Sequence, residues 1–227
     1  GDRKVRTGVT AIVPRGQLSL NSPVYGGWFA LNGNGEMTGT TYLDEMGQID
    51  GPIMLTNTHS VGVVHDAVIA WRVRSGPANA SGYWWSSPVV GETWDGDLND
   101  INGFHVRAEH VDRALDSAAG GPVTEGNVGG GTGMICHEFK CGIGTASRRV
   151  EIAGQSFVAG ALVQANYGTR ETLTIAGVPI GKNLPVDASR APAPGGDSGS
   201  IIVVLATDAP LLPHQLKRVA RRAALAL

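Results

Sequence analysis

Apolar and polar positions alternate along this chain between two periods, one of strands and one of helices. The densest apolar run is Ser200-Ile-Ile-Val-Val-Leu-Ala-Thr207, bounded by Gly195, Gly196 and Gly199 before it and Asp208 after it. A short apolar run between turn residues reads as a buried strand. Residues 5–13, ending at Pro14, read as another, as do residues 24–31, which lead into the turn Asn32-Gly-Asn-Gly35. Residues 52–56 form a fourth such run, and an irregular stretch through Trp84, Trp85 and Pro88 precedes Val89-Val-Gly-Glu-Thr-Trp94. Residues 134–139, 149–152, 156–166 and 173–175 look like consecutive strands. Helical spacing appears through Val63, Val64, Ala67, Val68 and Trp71, and again over residues 105–118, where Val106, Val111, Ala114 and Leu115 form a stripe. Pro213 suits the first turn of a last helix. Its Leu216, Val219, Ala220 and Ala223 are expected to face the core, with Lys217, Arg218, Arg221 and Arg222 in solvent. The mixture is α/β, but the pattern alone does not choose an architecture.

Composition narrows the class without deciding it. The 227 residues suit one domain with a substantial core. The formal charge of -2 carries no nucleic-acid footprint, and the basic run of the last helix reads as a solvated face. No apolar run reaches membrane-spanning length, so neither nucleic acid nor membrane is expected as a partner. Thirty-three glycines imply many tight turns and close backbone approaches. The only cysteines, Cys136 and Cys141, are expected to be structural thiols, since one C-x4-C is weak evidence for zinc. The six histidines show no ligand spacing, so no metal or other cofactor is expected. The compartment reads as cytoplasmic, with the periplasm as the alternative.

The chemistry concentrates at the start of the densest run. Ser200 is the last polar residue before a rigid strand, and Gly199 lets another group come close to its own carbonyl. A hydroxyl beside such a carbonyl can undergo an N-to-O acyl shift. Hydrolysis of the resulting ester would leave Ser200 as a new N-terminus. Its α-amine, with a pKa near 8, could then serve as general base for its own hydroxyl.

Residues 199–216 resemble the self-cleavage junction of the DmpA-type aminopeptidases, the L-aminopeptidase/D-esterase and β-peptidyl aminopeptidase family. Arg6-Thr-Gly-Val-Thr-Ala-Ile12, Leu55-Thr-Asn-Thr-His-Ser-Val-Gly62, Leu98-Asn-Asp-Ile-Asn-Gly103, Gly126-Asn-Val-Gly-Gly-Gly-Thr-Gly-Met134 and Val163-Gln-Ala-Asn-Tyr-Gly168 are similar to the same family, in order. The resemblance implies a layered αββα sandwich of the Ntn-hydrolase type. It also implies self-cleavage at Gly199-Ser200, dividing residues 1–199, an α-subunit part, from residues 200–227, the start of a β-subunit. Asn166 falls at the family's oxyanion-stabilising asparagine, and Glu92 resembles the carboxylate that meets the substrate's free amine. Trp94 falls where some members place a tyrosine hydroxyl, which leaves that part of the hole altered, or Trp94 merely a pocket wall. The implied substrates are short peptides, amides or esters with a free amine, and the implied assembly is a homo-oligomer of cleaved heterodimers. The resemblance also implies a fragment, with a second serine and a glutamate of the site outside it.

A competing reading starts from Gly196-Asp-Ser-Gly199, the nucleophile signature of chymotrypsin-like proteases. Ser198, His59 and Asp100 stand in that family's chain order. The helices read at Val63 and over 105–118 sit badly in an all-β barrel. A catalytically inactive structural homologue is the third alternative. Residues 126–133 lack the Lys-Ser/Thr end of a phosphate loop and read as close backbone packing near the site.

Overall fold

The computed structural model describes residues 4–16, 22–75, 85–184 and 199–226. Ser198 and most of the connection before it lie outside the described residues. Among the described residues, ten strands and four α-helices follow in chain order. The first sheet holds β1 (Thr10–Ile12), β4 (Ile53–Asn57) and β5 (Val89–Thr93), with β1 antiparallel and β5 parallel to the central β4. The second holds β8 (Ile143–Ile152), β9 (Gln155–Asn166) and β10 (Ser200–Thr207), all antiparallel. Two short ribbons complete the strands: β2 (Val24–Tyr25) with β3 (Gln48–Ile49), and β6 (Ile135–Cys136) with β7 (Phe139–Lys140).

Successive side chains of a strand point to opposite faces, and β4 and β5 use both. Met54 and Val90 join Val61, Val64, Val68 and Trp71 of α2 (Val61–Ser75) and Val111 and Leu115 of α3 (Ala108–Asp116) in one core. The helical stripe read from the sequence is therefore what packs on the sheet. Each fully buried valine or leucine there contributes about 1.5–3 kcal/mol over its exposed state. On the other face, Gly91 lies against Ile202 of β10, with 3.2 Å from its would-be Cβ to the Ile202 Cδ1. The order is helices, first sheet, second sheet, which makes the chain α/β with two sheets face to face. Among the described residues no helix is long and apolar enough to cross a membrane.

Several sequence expectations need correction. The strand expected over 24–31 pairs only at Val24–Tyr25, and 173–175 is not a strand, since Ile175 bridges only to Val178. Residues 134–139 are a hairpin whose two-residue turn, His137 and Glu138, has φ of 48° and 64°. Two central residues with positive φ make the turn that matches the strand twist. A helix not expected, α1 (Thr40–Met46), stands between two glycines in the left-handed region, Gly39 and Gly47. The last helix, α4 (Pro213–Ala223), does begin at Pro213, but none of its residues is buried. It lies against the backbone at Gly27 and Gly47 and is tied to α1 by Lys217 and Asp44, 2.8 Å apart. The cysteines are also not free thiols: Cys136 and Cys141 form a disulfide. The chain folds them together because the β6–β7 hairpin brings its two ends side by side.

Candidate active site

The end of β9, the start of β10 and the residue after β5 meet at one point. Ser200 opens β10 directly opposite Asn166, the last residue of β9, in the antiparallel register. Two donors converge on the Ser200 Oγ. The Trp94 backbone N–H donates to it at 2.9 Å, and the Asn166 Nδ2 at 3.5 Å. Asn166 is 7 % exposed, and its Oδ1 accepts from the Ile135 N–H at 2.8 Å. That second bond fixes which end of the amide faces the serine, so the NH2 group points at Oγ.

Gly199 acts through space rather than through an unusual φ. It is not in the left-handed region, but a Cβ there would stand 2.5 Å from the Tyr167 Cβ. No other residue fits without moving the Asn166-Tyr167 turn, so glycine is what lets position 199 lie against it.

Glu92 is buried, at 6 % exposure, on β5. Its Oε1 accepts from the Glu36 N–H at 3.1 Å, and its Oε2 from the Thr58 hydroxyl. Both partners are neutral donors. Trp94 contributes its backbone N–H, which donates to Ser200 Oγ; its side chain carries no hydroxyl. Its indole lies over Gly96 and meets the ring of His59 edge-on, at 6.2 Å between centroids.

His59, Asp100 and Ser198 are not brought together as a triad among the described residues. The His59 ring stacks on Phe104, with 6.0 Å between centroids. Asp100 instead bonds the His105 ring at 3.1 Å, and Ser198 is outside the described residues.

Two buried clusters behind the site escaped the sequence reading. Gln164, fully buried, donates to the Thr56 carbonyl at 2.9 Å and to the Thr93 Oγ1 at 2.8 Å. It thereby ties the second sheet to β4 and β5 of the first. Asp95, 1 % exposed, accepts from the amides of Asn57 and Asn99 next to Trp94. A polar residue within an apolar strand run was the available signal for Gln164. The glycine loop does pack closely: a Cβ on Gly130 would stand 2.2 Å from the Gln164 Oε1 and 2.8 Å from the Leu55 carbonyl.

The family model described as peptidase family S58 matches residues 1–227. This chain belongs to peptidase family S58. The β-peptidyl aminopeptidase BapA of Sphingosinicella microcystinivorans is 55 % identical to it over 237 aligned residues, and that of Sphingosinicella xenopeptidilytica 50 % over 234. Each alignment covers 99 % of this chain but 58 % of the relative, so the S58 chain spans less than two thirds of the curated relatives it matches. Among solved structures, the L-aminopeptidase D-Ala-esterase/amidase of Ochrobactrum anthropi superposes with a TM-score of 0.91 at 53 % identity. That match covers 98 % of this chain and 60 % of the other, which is described as a prototype for the serine aminopeptidases and a variant of the Ntn-hydrolase fold. The PH0078 protein of Pyrococcus horikoshii OT3 superposes at 0.88 with 44 % identity, over 97 % of this chain and 60 % of that one. The S58 chain therefore has the Ntn-hydrolase variant fold expected from its residues.

Proposed function

We propose that this chain carries the nucleophile and amide donors of a self-processing serine aminopeptidase, which releases N-terminal residues from short peptides, amides or esters. The observation that carries the reading is the convergence of the Trp94 N–H and the Asn166 Nδ2 on Ser200 Oγ. In the first step Ser200 Oγ attacks the Gly199 carbonyl carbon. The Oγ–C bond forms, the C–N bond to Ser200 breaks, and the hydroxyl proton passes to the departing amine. Water then hydrolyses the ester, freeing the Gly199 carboxylate and restoring the hydroxyl. Residues 1–199 and 200–227 would thus belong to separate chains of the mature protein.

In turnover, the freed α-amine of Ser200 takes the Oγ proton as Oγ attacks the substrate carbonyl. The tetrahedral oxygen grows on the carbon bonded to Oγ, within reach of the same two donors. Preorganised donors of this kind each lower a barrier by about 3–4 kcal/mol. The Glu92 carboxylate, whose hydrogen-bond donors among the described residues are the Glu36 N–H and the Thr58 hydroxyl, supports an anchor for the substrate ammonium through a charge-assisted hydrogen bond. Blocked N-termini would then be poor substrates.

Intact-mass analysis of the full-length gene product tests this reading. Two fragments are expected, the second beginning at Ser200. Ser200→Ala should leave one uncut and inactive chain, and Ser198→Ala should remain cut and active. An active protein that stays uncut, or the reverse pattern for the two serines, would overturn the reading.

A further inference from the structure

The Cys136–Cys141 disulfide lies one residue from the group that aims the amide donor. Ile135, whose N–H holds the Asn166 Oδ1 at 2.8 Å, is the neighbour of Cys136 in β6. The disulfide closes the open end of the β6–β7 hairpin, where the Cys141 N–H also donates to the Met134 carbonyl at 3.0 Å. The hairpin's turn places two non-glycine residues, His137 and Glu138, in the left-handed region, which L residues rarely adopt. Its tip is pinned independently: the His137 N–H donates to the Tyr167 carbonyl at 2.9 Å, and Arg170 pairs with Glu138 at 3.4 Å. Near its base, Asn127 Nδ2 donates to the Cys141 carbonyl. Both cysteines are half-buried, so a small thiol can reach the bond.

We propose that this disulfide is a positioning element for catalysis, acting through Ile135 on the Asn166 amide, and that turnover responds to its redox state. The inference rests on the proposed roles of Ser200 and Asn166. Opening the bond is a two-electron reduction by an external dithiol. A thiolate of the dithiol attacks one Sγ, the mixed disulfide is resolved by its second thiol, and the products are two cysteine thiols and the oxidised dithiol. The tip contacts survive this step, so the hairpin stays attached while its base loosens. The Ile135 N–H then drifts, and the amide that it orients loses alignment with Oγ. A fraction of an ångström at a donor already 3.5 Å from Oγ is the expected displacement scale. Binding of the amine at Glu92, on a different strand, is not affected.

The test uses the full-length processed enzyme and a free-amine p-nitroanilide. Differential alkylation should find Cys136 and Cys141 blocked before dithiothreitol treatment and alkylated after it. Reduction should lower kcat about tenfold with KM unchanged, because small misplacement of a catalytic group acts on the transition state. Reoxidation should restore the rate. Cys141→Ser should reproduce the loss without reductant and be insensitive to it. In an Asn166→Ala background, reduction should change the residual rate by less than twofold, an outcome that a general softening of the fold would not produce. Thiols alkylated before reduction, or an undiminished kcat after it, would overturn the inference. Failure of the underlying reading looks different: Ser200→Ala would then keep its activity.

Discussion

The two sheets are built from similar strands and are held very differently. Every residue of β4 and β5 is buried, between helices on one side and the second sheet on the other. In β8 only Ile143 is buried, and in β9 only the last three residues, Gln164 to Asn166. Elsewhere on the second sheet, Val150, Ile152, Val158 and Leu205 are exposed. Asn166 and Ser200 meet at the one end of the second sheet that is buried against the first, where Gln164 ties the two together. Packing in the first sheet thus fixes positions that the second sheet uses. Asn166 and Ser200 are placed by a rigid neighbour rather than by the depth of their own layer.

The largest contrast should be in stability. Leu55→Ala, at a fully buried site, should cost about 2–5 kcal/mol in urea unfolding. Val158→Ala, at 43 % exposure, should fall within about 0.5 kcal/mol. Comparable losses at the two sites in the full-length protein would show that the outer sheet face is covered there, and the contrast would vanish.

Asn166→Ala should come next, lowering kcat about 10²–10³-fold by removing one donor from the developing oxyanion. Steady-state kinetics on the full-length enzyme measure it, and a loss of only a few-fold would place the useful donor elsewhere. Glu92→Gln keeps the shape and removes the charge. It should slow a free-amine p-nitroanilide about tenfold, as expected for a hydrogen bond to an ion, and narrow the gap to the N-acetyl analogue. An unchanged ratio between the two substrates would show that the amine is held by another group.

The smallest effect is expected at the far edge, where Lys217 of α4 meets Asp44 of α1. The hydrogen bond from Lys217 holds the Asp44 carboxyl below its ordinary value of 3.8. A depressed carboxyl contributes stability that is present above its unfolded pKa and fades as pH falls through the folded one. The difference in Tm between wild type and Asp44→Asn should therefore be small at neutral pH and disappear below pH 3.8. A difference that persists in acid would mean that Asp44 acts by packing and not by charge.

Local pattern made much of this molecule legible. The stripe at Val111 and Leu115 and the proline start of α4 are set by nearest neighbours and appear where the periodicity puts them; the run from Ser200 to Thr207 is the strand expected, but half-buried to exposed rather than buried, since it lies on the outer of the two sheets. The pairing of Asn166 with Ser200 joins two positions that the sequence had already singled out. Other features depend on which distant segments meet. The Trp94 donor is a backbone N–H, a group that nearly every residue carries, so no side-chain identity could announce it. The disulfide required a turn through two left-handed residues to bring Cys136 to Cys141. Glu92 is buried only because residues 35–36 and Thr58 close over it, the Glu36 N–H and the Thr58 hydroxyl donating to its two oxygens. Hydrophobic period and turn chemistry act over a few residues and so can be read in order. Hydrogen-bond direction and burial depend on contacts across 30 to 110 positions of chain, such as Trp94 to Ser200, separated by 106, and only the folded packing decides them.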